Sequence, residues 1–125
     1  MTLVGGTPGS RRIEKKRDTY FLGIYRGKRL HAIKIGLATR GRVHTRIANL
    51  QTGSVDRLNL LAVAEGSLER KFHRKFAGYR IGKSEFFKPA PELLKLIDDL
   101  VKIRSLVEKI EASNGGRASF ADRNL

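Results

Sequence analysis

The chain has 125 residues with 26 Lys and Arg against 12 Asp and Glu, a formal charge of +14, which points to one domain with tails and to polyanionic partners. It has no cysteine, and its three histidines, His31, His44 and His73, are scattered, so disulfides, thiolate zinc sites and a histidine metal cage are excluded. No apolar run approaches the roughly 20 residues of a membrane span, and the start MTLVGGTPGSRR has no signal-peptide core, so no membrane partner is expected and the cytoplasm is the expected compartment.

The charge is uneven along the chain. The first 88 residues hold 20 of the Lys and Arg and 6 of the Asp and Glu, so they carry the whole +14 and the remainder is neutral. Phosphate contacts gain from released counterions, so this concentration suits a nucleic-acid surface. Residues 1–18 are expected to form a flexible basic arm, with Arg11 and Arg12 lying along phosphates. Its GGTPGS stretch lacks the Gly-Lys-Ser/Thr ending of a P-loop, and no apolar strand precedes it.

Tyr20 to Tyr25 and Leu30 to Ile35 read as a hairpin turned at Arg26-Gly27-Lys28-Arg29. Alternation sends Lys34 to the face opposite Ile33 and Ile35. From about Arg40 to Gln51, Val43, Ile47 and Leu50 make one helical stripe bordered by Arg42, Arg46 and Asn49. Thr52-Gly53-Ser54 ends that helix. LNLLAVA, Leu58 to Ala64, is apolar at nearly every position and is expected to be the central strand, buried on both faces.

Ser67 is the expected cap of a helix burying Leu68, Phe72 and Phe76. Glu69 and His73 stand one turn apart beside that stripe, with Arg70, Lys71, Arg74 and Lys75 around them. Glu85-Phe86-Phe87 reads as a short strand or an aromatic plug ended by Pro89 and Pro91; both phenylalanines are expected in the core, with stacking on a base as the alternative for one of them. From Glu92 to Ala112 the residues Leu93, Leu96, Leu100, Ile103, Val107 and Ile110 make a near-heptad seam. Its first half is expected to pack on the sheet and its second on another copy, giving a homodimer, with residues 113–125 as a loose tail.

Taken in order, Tyr20-Phe21, Ile33-Lys34-Ile35-Gly36, Arg46 with Leu50-Gln51-Thr52-Gly53-Ser54, Leu60-Leu61, Glu69 with Phe72-His73 and Phe76, and Glu85-Phe86-Phe87 resemble the phage-type, KIG-containing branch of the GIY-YIG nuclease superfamily. The resemblance covers about residues 20–87 and implies an α+β domain at 19–90, a three-stranded antiparallel sheet flanked by helices, with the amphipathic helix at 91–112 added. It implies an endonuclease that hydrolyses DNA phosphodiester bonds, with RNA as an alternative ligand.

By the same resemblance Glu69 matches the single metal ligand, Arg46 the catalytic arginine and Tyr20 the first tyrosine, while Lys34 stands where the second tyrosine would be. His73 and Glu85 match branch-typical positions. The literal GIY at Gly23 to Tyr25 leaves Tyr25 as a second candidate, although only eight residues separate it from Lys34, fewer than the family spacing. One carboxylate suffices for Mg²⁺ or Mn²⁺, because such ions keep waters and take phosphate oxygens. Arg46 can fork onto the phosphate, and Tyr20, or Lys34 if neighbouring cations depress its pKa, can position or deprotonate the water. Arg42, Arg70, Arg74 and Lys75 are the further phosphate-binding candidates. The competing reading is a basic nucleic-acid-binding module on the same scaffold that cleaves nothing.

Overall fold

The computed structural model describes residues 15–124. β1 (Arg17–Arg26) and β2 (Arg29–Thr39) form the expected hairpin. Its turn is made at Gly27, whose φ of 63° is the left-handed backbone with which a Gly-first loop matches the twist of two strands. β3 (Arg57–Glu65) pairs antiparallel with β1, and β4 (Phe86–Phe87) pairs antiparallel with β2. Three helices lie among the described residues: α1 (Val43–Thr52), α2 (Glu69–Lys75) and α3 (Pro91–Asn124). The architecture is α+β, an antiparallel sheet flanked by helices.

Two expectations about the sheet are corrected. It has four strands in the order β3-β1-β2-β4, not three, because Phe87 and Phe86 pair with Ile33 and Lys34 and so extend the sheet. The central position belongs to β1, which is buried from Asp18 to Ile24, and LNLLAVA forms an edge. A continuous apolar run demands cover on both faces rather than two neighbours, and helices provide it here: α1 and α3 both pack on β3.

Alternation divides the sheet into two unequal cores. One face carries Phe21, Ile33 and Ile35 against Phe72 and Phe76 of α2 and Leu93 and Ile97 of α3, ten buried residues in all. The other carries Tyr20, Leu22 and Ala38 against α1, with four buried residues. At about 1.5–3 kcal/mol for each large apolar side chain buried, the α2/α3 face dominates stability. The α1 face can therefore host groups chosen for chemistry.

The segment boundaries also shift. β1 begins at Arg17, inside the stretch expected to be an arm, while Arg11 and Arg12 lie outside the described residues. α3 continues past Ala112 to Asn124, where a loose tail was expected. Gly115 and Gly116 weaken a helix by about 1 kcal/mol each but keep their N–H groups, so they do not stop it as proline does. Leu93 is fully buried, so the start of α3 belongs to the core of the domain.

Candidate active site

At Gly36 the volume that a side chain would fill is taken by a residue of the neighbouring strand. Tyr20 pairs with Gly36 across the two strands, and its ring lies over the glycine so closely that a Cβ there would stand 2.5 Å from Oη and 2.6 Å from Cζ. No other residue fits beneath that phenol. Tyr20 is only 1% exposed, and its hydroxyl has no hydrogen-bond partner among the described residues. Tyr25 falls on the opposite face of β1, half-buried, with the Arg57 guanidinium 4.3 Å over its ring. Of the two candidate tyrosines, Tyr20 is the one beside Gly36.

Lys34 shares the Tyr20 face, as alternation requires. Its side chain is 12% exposed and its Nζ lies 3.7 Å from Glu85 Oε2. Its ion-pair partner among the described residues is a carboxylate, because the β2–β4 pairing brings Glu85 alongside. Arg46 is exposed on α1. That helix leans one flank on β3, where Gln51 Nε2 donates to the Asp56 carbonyl at 3.0 Å and the Leu58 N–H donates to Gln51 Oε1 at 2.8 Å. Arg46 is on the other flank, one turn before Leu50, which lines a slot together with Lys34 and Phe86. Arg42, at the start of the helix, is exposed on the same flank.

α2 reaches the same strip of β2 from the other face. His73 Nε2 lies 3.0 Å from the Ile35 carbonyl and Nδ1 lies 3.3 Å from Arg80 Nη2. A carbonyl only accepts and a guanidinium only donates, so His73 carries its proton on Nε2, donates to Ile35 and accepts from Arg80. Its edge rests on Phe87, ring centroids 5.0 Å apart. Both nitrogens of His73 are thus occupied in holding α2 to β2, which makes it a positioning group beside Gly36. Glu69 stands one turn earlier on α2, half-buried, and among the described residues it has no ion pair or hydrogen bond.

What fixes Glu69 is not the expected cap. Ser67 makes no cap, and the residue before the helix is Leu68. Its N–H donates to Thr19 Oγ1 at 2.7 Å, while the Thr19 hydroxyl donates to the Gly66 carbonyl at 2.8 Å. Next to it, the Asp18 carboxylate accepts from the Gly66 N–H at 3.0 Å and takes a forked pair from Arg40, with Nη2 at 2.9 Å. Burial pushes the Asp18 pKa up, but the Arg40 and Gly66 hydrogen bonds and the charges of Arg40 and Arg104 outweigh it and hold the pKa below its ordinary value. Three consecutive residues of β1 therefore serve the site: Asp18 and Thr19 anchor the start of α2, and Tyr20 covers Gly36.

Among the described residues no three His, Cys, Asp or Glu gather into a metal cage. A single half-buried carboxylate fits a hard divalent ion that retains its waters, such as Mg²⁺ or Mn²⁺, and does not fit zinc. Arg70, Arg74 and Lys75 are exposed around α2. No role at the site follows from the sequence pattern for Asp18, Thr19, Arg40 or Arg80. Their only signal was a polar Asp18-Thr19 pair at the head of an apolar run, which by itself reads as a strand entry. Residues 19–108 match the family model described as the T5orf172 domain. No curated protein and no solved structure matches the chain.

Proposed function

Because the chain belongs to the T5orf172 domain family, a phage-type, nuclease-like family, we propose that it is a metal-dependent endonuclease that hydrolyses DNA phosphodiester bonds by GIY-YIG-type chemistry. The observation that carries this reading is the strip of β2 from Lys34 to Gly36. It has the Tyr20 phenol over Gly36, the Lys34 amine on the same face, and His73 fastening the Glu69 helix to the Ile35 carbonyl, while Arg46 is exposed on α1, the helix that packs on this face of the sheet. The excess of cations over the first 88 residues supports a polynucleotide substrate.

In this reading Arg46, always charged, forks onto the phosphate as negative charge builds. The Tyr20 hydroxyl, without a partner among the described residues, orients the attacking water and takes part in its deprotonation. Lys34 supplies a cation at the phosphate, steadied by Glu85. Glu69 would hold the divalent ion, Mg²⁺ or Mn²⁺, which when bound supplies charge neutralisation at the phosphate and leaving oxygen. Arg42, Arg70, Arg74 and Lys75 would track the neighbouring phosphates.

The test is nicking of supercoiled plasmid with Mg²⁺ or Mn²⁺ by the wild type, Glu69→Ala and Arg46→Ala. Loss of one transition-state donor is expected to slow cleavage by about 10²–10³ in Arg46→Ala; equal nicking by all three proteins sinks the proposal. A second reading, a DNA- or RNA-binding module without catalysis, is favoured by Lys34 at the tyrosine position and by the occupied nitrogens of His73. Salt-dependent binding with no metal-dependent cleavage selects it.

A further inference from the structure

Beside the Lys34 end of the strip lies a slot of about 370 Å³ on the α1 face, bounded by β1, β2, the end of α1 and the segment before β4. Its walls are apolar, with Leu50 and Leu58 on one side and Phe86 on the other. Lys34, His31 and Asp56 stand among its lining, so charge and hydrogen-bonding groups accompany an otherwise apolar cleft. The volume is that of a small-molecule site rather than of a packing defect.

Phe86 distinguishes this slot from ordinary core. The two residues of β4 separate by alternation: Phe87 is fully buried on the α2/α3 face, while Phe86, paired with Lys34, turns to the other face and stays 37% exposed. An aromatic ring left open to water beside an ammonium is placed to take a flat, π-faced partner. The slot shares Lys34 with the phosphate strip, and Gly36 at the far end of the strip lies two residues of β2 away, about 7 Å along the strand. That is the scale of one nucleotide from phosphate to base.

We propose that this slot receives an unpaired base of the DNA strand whose phosphate lies on the Lys34–Gly36 strip, stacked on Phe86. The inference rests on the nuclease reading for the identity of the strand and adds its substrate class. A base still stacked in duplex has both faces covered by its neighbours and cannot also stack on Phe86, so single strands, flaps or extruded bases are the substrates the slot fits. Lys34 and Arg26 of the lining are ion-paired with Glu85 and Asp56, so the slot offers an aromatic face edged by hydrogen-bonding groups, which suits a flat heteroaromatic base better than a lipid chain.

The chain has no tryptophan, so Phe86→Trp places one fluorophore at the slot. Titration with single-stranded oligothymidylate is expected to quench it, whereas an abasic oligomer of equal length and charge leaves it bright. If that variant does not fold, mobility shifts with Phe86→Ala decide: affinity for oligothymidylate falls about fivefold or more while that for the abasic oligomer holds within about twofold. Equal quenching by both oligomers, or equal affinities untouched by Phe86→Ala, overturns the slot. Cleavage dependent on Glu69 is read separately. Base-specific quenching without such cleavage removes the nuclease reading and keeps the slot, and cleavage without base-specific quenching or affinity removes the slot alone.

Discussion

Gly36 and Thr19 show how much of the candidate site rests on residues to which the proposed chemistry assigns no role. An alanine methyl at position 36 would stand 2.5 Å from the Tyr20 hydroxyl oxygen, so Gly36→Ala must expel the ring from its place. Overpacking of this kind is expected to cost about 1–3 kcal/mol and to abolish nicking. Tyr20→Phe keeps the buried ring and loses only a hydroxyl without a protein partner among the described residues. Its urea midpoint is expected to stay near wild type while nicking falls about a hundredfold; a matching loss of stability would mean that the phenol is a packing group. Thr19, fully buried, bridges Gly66 and Leu68. Thr19→Val conserves its shape but leaves that carbonyl and N–H unpaired, an expected loss of about 2 kcal/mol in a denaturant titration, accompanied by weaker Mn²⁺-dependent nicking because Glu69 follows Leu68 directly.

Among the elements, the hairpin and α1 were legible in the sequence, because alternation in Tyr20–Ile35 and the Val43, Ile47, Leu50 stripe are local patterns. The place of LNLLAVA was not, since an apolar run reports burial without saying whether strands or helices provide it. Nor was the anchoring of α2, which depends on hydrogen bonds between residues far apart in sequence. Tyr20, Lys34, Arg46, Glu69 and His73 came forward as what a family resemblance in the ordered motifs implies, whereas the roles of Asp18, Thr19 and Arg80 are visible only in three dimensions. α3 keeps its heptad seam, which with the flanking Ile97 and Leu106 is buried at Leu93 and Ile97 but open at Ile103, Leu106, Val107 and Ile110, which are 57%, 59%, 43% and 51% exposed. The seam that docks the helix on the domain thus continues beyond it without cover among the described residues, and a second copy offers a matching one. Sedimentation at rising concentration is expected to show self-association that the double variant Ile103→Glu, Val107→Glu abolishes; an unchanged monomer in both proteins would exclude pairing through this face.

Over the whole molecule, the Asp18–Arg40 pair closes the ends of β1 and β2 against the β3–α2 connection. The folded pKa of Asp18 lies below its ordinary value near 3.8, so its ionised form stabilises the fold. That contribution is complete above the unfolded pKa and is lost as pH falls through the folded one. The urea midpoint of the wild type is expected to drop below about pH 4, and Asp18→Asn to be weaker at neutral pH but less sensitive over that range; parallel curves for the two proteins would remove Asp18 from the acid transition. The Thr19 bridge has a temporal consequence as well. Its partners lie 47 and 49 residues downstream, so β1, β2 and β3 must be in register before α2 can take its starting point. Loop closure over such separations comes late in folding, after local turns and helices have formed. A chain emerging from synthesis could carry its basic surface early, yet would hold Glu69 in place only once the sheet is complete, so in the proposed endonuclease destructive activity waits on a finished fold.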